Sequence, residues 1–121
     1  MPPELRTAIK LYNQGEYLES QMSFEAALPA LAEPDRALAK ALLLLAGAMH
    51  LHFHRGGGRG TLNLLRQALV TLDDFRPAHL GIAVDELFEA VQAYLEDLES
   101  RPSRSPRFID RWLVPRIRAS R

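Results

Sequence analysis

Apolar residues recur along most of this 121-residue chain at the three- and four-residue spacing of amphipathic helices. The clearest stripe is Leu62, Leu65, Leu69 and Leu72, within the segment 61–75. No segment alternates between apolar and polar residues as a half-buried strand does. We therefore predict an all-α fold, a single-domain bundle of about five helices. With proline and glycine as start and stop signals, the other four helices are predicted over about 3–13, 16–28, 35–54 and 83–99.

The third predicted helix is apolar nearly all round between residues 37 and 53, so we expect other helices to surround it. This stretch contains Lys40, His50 and His52, and it is shorter than the roughly 20 apolar residues that a membrane-spanning helix needs. We therefore expect no membrane span. The candidate core positions of the second helix are Tyr17, Leu18, Met22, Phe24, Ala27 and Leu28.

The character of the chain changes after residue 99. Pro102, Pro106 and Pro115 preclude one long helix there, although the segment RFIDRWLV has room for a turn or two. We predict a bundle domain over residues 1–99 and a C-terminal arm over residues 100–121. The helical spacing of Phe108, Ile109, Trp112 and Leu113 would allow this piece to dock on the bundle. We expect the arm to lie over the surface of the domain or of a neighbour, and the alternative is a flexible end.

The formal net charge of zero hides a strong asymmetry. Residues 101–121 contain seven arginines and one acid, Asp110, which gives +6. The other 100 residues contain eight basic and fourteen acidic side chains, which gives −6. An acidic body with a basic arm indicates an interaction segment. The chain has no cysteine, which excludes disulfides and thiolate metal sites and favours a cytoplasmic location.

Three alternate histidines occur in the stretch GAMHLHFHRGGGRG, residues 47–60. On a helix His50 and His54 share a face and His52 points away. A histidine pair one turn apart binds a divalent metal only with a further ligand, for which Glu19 and Glu25 on the second helix are the candidates. The alternative is a structural or surface role at the end of a helix.

The glycines that follow the histidines lack the Lys-Ser/Thr of a phosphate-binding P-loop and follow a helix rather than a strand. We interpret them as a turn between helices. No nucleophile motif or complete catalytic set is present, so we expect a protein that is not an enzyme.

The arm interleaves arginines with aromatic residues, a combination that binds nucleic acid through phosphate contacts and base stacking. The same arginines could instead pair with the acidic body, within one chain or in a dimer. The candidate residues for partner or nucleic-acid binding are Arg104, Arg107, Arg111, Trp112, Arg116 and Arg118.

Residues 5–98 resemble the domain of unknown function 309 family. The segment LYNQGEYLESQMSFEAAL is similar to its opening motif, F-N-x-G-x-[FY]-x-E-x-H-E-x-L-E, and HLGIAVDELFEAV is similar to its last helix. The opening motif is matched by Tyr12, Asn13, Gly15, Tyr17, Glu19 and Glu25. The family's A-x-A-x-x-H helix, glycine loop and G-A-x-x-L-L helix are matched by His50, Gly60, Leu64 and Leu65.

The resemblance implies a small helical bundle, found largely in bacteria and archaea, without an established activity. It also implies an internal role for His50, with His52 and His54 particular to this chain. Gln21 and Met22 stand where the family has its H-E pair, which implies that any metal or catalytic centre there has been lost. The implied pocket comprises Tyr12, Asn13, Tyr17, Gln21, Met22, Glu25 and His50.

The leading functional hypothesis is a non-enzymatic interaction module that binds a protein partner or a second copy of itself. One alternative is nucleic-acid binding through the arm. The other is a degenerate metal-binding or hydrolase-like protein, with a divalent cation held by His50, His54, Glu25 and Glu19.

Overall fold

The computed structural model describes residues 1–103 and 105–120, and these form helices and no strand. The prediction of an all-α bundle with about five main helices is therefore confirmed. A short 3-10 turn, Leu28–Ala30, follows the second helix, and a four-residue helix, α6 (Asp110–Leu113), lies in the arm. The main helices are α1 (Pro3–Asn13), α2 (Tyr17–Ala27), α3 (Asp35–His54), α4 (Arg59–Asp73) and α5 (Val84–Ser100).

The predicted helix limits hold within two residues because the local stop signals are strong. At the α3–α4 connection, Gly56, Gly57 and Gly58 have φ angles of 86°, 74° and 103°. Side chains with a Cβ atom rarely adopt this left-handed region, so the glycines are required by the backbone of the connection. The interpretation of this stretch as a turn agrees with that geometry.

Each main helix packs against the next one along the chain, and α3 lies at the centre between α2 and α4. Among the described residues α3 has the length and mean hydropathy of a membrane span. Within its most apolar window 56% of the residues are buried inside the bundle, as in the core helix of a soluble protein. Its buried residues are Leu38, Ala39, Ala41, Leu42, Leu45, Ala46, Gly47, Ala48, Met49 and His52.

The inward face of α2 differs from the predicted one. Leu18 and Met22, expected in the core, are 48% and 63% exposed. The buried stripe instead includes the polar Ser20, whose hydroxyl donates a 2.8 Å hydrogen bond to the carbonyl oxygen of Ala8 on α1. Apolar periodicity did not predict this stripe because one of its positions is a serine. A serine is tolerated in the core when its hydroxyl is hydrogen-bonded. Its members are Tyr17, Ser20, Phe24 and Ala27.

The arm returns across the bundle and ties its first helix to the loop before α5. The Tyr12 hydroxyl donates to the Pro115 carbonyl at 2.7 Å. The Asn13 amide exchanges two hydrogen bonds with the backbone of Ile117, at 2.8 and 2.9 Å. Beyond it, the Ala83 N–H donates to the carbonyl of Arg118. Residues about 100 positions apart in sequence therefore hold each other in place.

The side chains that dock the arm are not the ones that helical spacing predicted. The predicted docking side chains of the arm are all at least 50% exposed: Phe108, Ile109, Trp112 and Leu113. Docking instead uses the buried Ile117, which joins the core at 3% exposure, together with Pro115 and the partly buried Val114. Three prolines interrupt the arm, so a helical pattern does not describe its contacts.

We expect Ile117→Ala to lower the free energy of unfolding by roughly 2–5 kcal/mol, the usual cost of truncating a buried aliphatic side chain. Urea denaturation monitored by circular dichroism measures this change. The matched control is Leu113→Ala in the same arm, where the side chain is half exposed. Equal, small effects of the two substitutions would show that the arm does not contribute to the core.

Candidate functional site

A buried ionic network fixes the start of α6 against the bundle. Asp110 is fully buried and accepts hydrogen bonds from His52 on α3 at 2.8 Å, from Arg101 at 2.8 Å and from the Arg107 backbone N–H at 2.9 Å. Arg101, whose side chain is only 5% exposed, also pairs with Asp97 on α5. The network therefore joins the central helix, the last long helix and the arm.

The electrostatics of this network favour its charged form. Burial alone would raise the pKa of Asp110, but hydrogen bonds from Arg101, the Arg107 backbone and His52 together hold that pKa well below its usual range. The hydrogen bond to Asp110 is the main cause of a raised pKa at Arg101. Since a buried charge without a partner is strongly destabilising, each member of the pair requires the other.

The network is a structural element and not an exposed reaction centre. His52 and Asp110 are both 0% exposed, so a substrate in solution cannot reach them in this conformation. The Tyr94 ring packs edge-on to the His52 ring at 6.1 Å, and burial raises the pKa of Tyr94. Tyr12, beneath Pro115, is also deeply buried, and this burial raises its pKa well above the usual value.

A pocket of about 340 Å³ opens between the α1–α2 turn and the arm. We call it the arm pocket. Tyr17 lies in its wall, and Arg111, Trp112 and Arg116 of the arm lie around it. Burial raises the pKa of Tyr17, and the positive charges of Arg111 and Arg116, which line the same pocket, act in the opposite direction. None of the residues that line the arm pocket is acidic.

The pocket implied by the family resemblance is divided in the structure. Tyr12 and Asn13 hold the arm, and Tyr17 lines the arm pocket. Gln21 packs over Gly47, where an added Cβ would lie 3.2 Å from its amide nitrogen. Two other members of the implied pocket, Met22 and Glu25, are exposed.

His50 and His54 share one face of α3, with ring centroids 5.3 Å apart, as helical geometry predicted. They line a cleft beside the arm pocket together with Glu19, whereas Glu25 is not part of its lining. No group of three histidine, aspartate or glutamate side chains within residues 1–103 and 105–120 is placed to hold a metal ion. The geometry of the predicted ligand set therefore gives the metal hypothesis no support.

The internal histidine of α3 is His52, whereas the family resemblance pointed to His50. His52 is fully buried, and His50 is only partly buried at the surface cleft. The structure therefore gives the internal position on α3 to His52 and not to His50. The sequence did contain a signal for the buried ion pair. Asp110 is the one acidic residue of the basic arm, among seven arginines, and such a carboxylate is a candidate for an ion pair.

Three arginines of the arm form ion pairs within the chain. Arg101 and Arg107 lie within 4.0 Å of Asp110, and Arg118 lies 4.0 Å from Glu86. Among the described residues Arg111 and Arg116 form no such pair with a carboxylate. The predicted arm residue Arg104 lies outside the described part of the chain.

No protein-family model, curated protein or solved structure matches this chain. The resemblance to the domain of unknown function 309 family stays a prediction, and function has to be inferred from the surface that the fold creates.

We expect Asp110→Asn to lower the free energy of unfolding by about 3 to 5 kcal/mol, because the buried Arg101 charge loses its buried counter-charge and keeps only the half-exposed Asp97. Chemical denaturation measures the loss. The matched control is Asp85→Asn, which breaks the exposed pair with Arg76, where water screens the charges, and should change stability far less. Similar losses for both variants would contradict a special role for the buried network.

The stability of the chain should also depend on pH through Asp110. The pKa of Asp110 is lowered in the folded chain from the ordinary value of 3.8, so the unfolded chain takes up this proton first as the pH falls. The stabilisation is therefore complete above about pH 5 and is lost as the pH falls through 3.8 towards the folded-state pKa. Urea titrations between neutral and acid pH should show the wild-type and Asp110→Asn stabilities converging, and a constant difference would contradict this account.

Proposed function

We propose that this chain is a non-enzymatic, cytoplasmic helical module of the domain of unknown function 309 type that acts as a homodimer formed through its arm. The single observation that carries the proposal is the exposed apolar surface of α6 and the residues before it. We call this surface the arm patch. It consists of Phe108, 82% exposed, and Trp112, 78% exposed, together with the half-exposed Ile109 and Leu113.

The arm patch combines exposure with a fixed position. Neighbouring apolar side chains on a protein surface commonly mark an interaction site, and tryptophan and arginine are the residue types that most often dominate binding energies. The Asp110 carboxylate at the start of α6 is held by hydrogen bonds from His52, Arg101 and the Arg107 backbone N–H. Because the patch is already ordered in the free chain, association loses less conformational entropy than it would with a flexible tail.

Charges around the arm patch favour a second copy as the partner. Arg111 lies between the arm pocket and the neighbouring cleft, and that cleft is also lined by Glu16 and Glu19. A two-fold interface brings the same surface of both subunits together, so charged groups around its apolar centre are favourable only where that surface carries both signs. An arginine of one copy facing the glutamates of the other meets this requirement.

The ion pairs within the chain also favour a protein partner over nucleic acid. Arg101, Arg107 and Arg118 already lie against carboxylates of the same chain, so fewer arginines remain for phosphate contacts. The acidic body, with a formal charge of −6 outside residues 101–121, repels a polyanion.

We expect purified protein to have twice the chain mass in light scattering, with a dimer that weakens at high salt as the surrounding charges are screened. Trp112→Ala should raise the dimer Kd by roughly 30-fold or more, equivalent to about 2 kcal/mol for a dominant contact residue. The matched control is Val70→Ala, which removes a 73% exposed apolar side chain on α4, away from the arm.

A wild-type chain that stays monomeric at its highest soluble concentration would overturn the proposal. So would equal effects of Trp112→Ala and Val70→Ala on the dimer, because the arm patch would then not be the interface. Salt-sensitive binding to RNA or DNA that disappears when residues 100–121 are deleted would instead assign the arm to nucleic acid.

A further inference from the structure

Two arginines and no acidic residue line the arm pocket. Arg111 and Arg116 both line it, no lining residue is acidic, and neither arginine forms an ion pair with a carboxylate of the described residues. Two like charges near one another repel, and the repulsion is stronger beside a low-dielectric protein surface than in water. A bound anion would relieve this repulsion.

A third polar group faces the same space. The Tyr17 side chain is 6% exposed, and its hydroxyl makes no hydrogen bond with any residue that the structure describes. The hydroxyl oxygen itself reaches solvent in the pocket, where it is free to donate to a ligand oxygen. Tyr17 and the arginines come from α2 and from the arm, so the donor set exists only when the arm is docked.

The position of Arg111 is fixed by aromatic contacts. Its guanidinium carbon lies 4.8 Å from the ring centroid of Phe53, and that ring in turn stacks on Tyr17 at 5.9 Å with an interplanar angle of 15°. A guanidinium that rests on a ring keeps its edge N–H groups for hydrogen bonds. Arg111 is therefore ordered before a ligand arrives, which lowers the entropic cost of binding.

From these contacts we propose that the arm pocket is a binding site for a small phosphate monoester, held by Arg111, Arg116 and the Tyr17 hydroxyl. The planar guanidinium matches a phosphate group with paired N–H donors. A phosphate monoester carries a charge of about −1.5 to −2 at neutral pH, which balances the two arginines better than one carboxylate does.

The size of the pocket indicates more than a free phosphate ion. Its volume of about 340 Å³ lies within the range of small-molecule sites. Trp112 lies at one wall, and its indole ring offers a face on which a planar group of the ligand stacks. All of its residues belong to one chain, and because Trp112 and Arg111 are shared with the proposed dimer interface, the ligand titration is made at chain concentrations below the dimer Kd.

The test is a titration of the full chain with adenosine monophosphate, adenosine and inorganic phosphate. Calorimetry gives the affinities, and the fluorescence of Trp112, the one tryptophan of the chain, reports occupancy of this pocket. Light scattering in parallel separates ligand binding from a change in association. We expect adenosine monophosphate to bind at least about tenfold tighter than adenosine, as expected for charged hydrogen bonds. Inorganic phosphate should compete with it.

Three variants assign the binding to the proposed groups. Arg116→Gln should weaken binding of adenosine monophosphate about tenfold, and Tyr17→Phe, which keeps the ring and removes the hydroxyl, should weaken it several-fold. The matched control is Arg118→Gln, an arginine of the same arm outside the pocket lining, which should stay within about twofold of wild type.

Equal binding of adenosine and its monophosphate would overturn the proposal, because the phosphate would then contribute nothing. So would the absence of binding by the wild-type chain, or equal losses in Arg116→Gln and Arg118→Gln. A chain that dimerises but does not bind phosphate would leave the proposed function intact and reject this site. A chain that binds phosphate but stays monomeric would support this site and reject the proposed function.

Discussion

The buried carboxylate of Asp110 determines what the C-terminal arm of this molecule presents to solvent. It is fully buried beside His52 and Arg101, and it also accepts a hydrogen bond from the backbone of Arg107. Moving a charge out of water is costly unless it is paired and hydrogen-bonded, so the arm has a strong preference for the one position that satisfies all these groups. That position turns α6 so that its acidic residue faces the bundle while Trp112 faces solvent.

Periodicity was sufficient to predict the helices because each one is a local pattern with local stop signals. It was not sufficient for the arm, since the interactions that dock it join residues far apart in sequence. His52 and Asp110 are separated by 58 positions, and Asn13 and Ile117 by 104. Sequence spacing gives no sign of either pair. The one local pattern in the arm is its helically spaced apolar residues, and these lie on its solvent face.

The histidines show where single-helix geometry reaches its limit. It separates His50 and His54 from His52, and the structure agrees. It cannot say which face is internal, because α3 is apolar nearly all round and has neighbours on two sides. The family resemblance then favoured His50, but the helix beneath that position carries Gln21 and Met22 in place of the H-E pair. The histidine that has a buried partner is His52, which faces the arm and pairs with Asp110.

The arm also shows why net charge is a poor guide to what a basic segment binds. Arg101 and Arg107 neutralise Asp110 and Asp97, so part of the positive charge is used in holding the arm in place. What remains beside the arm pocket is a pair of arginines next to a single exposed tryptophan. These two arginines lie at one pocket of the folded chain, whereas a flexible run of seven arginines would attract polyanions in general. The buried network therefore takes up part of the positive charge of the arm, and the fold determines which arginines remain at the surface.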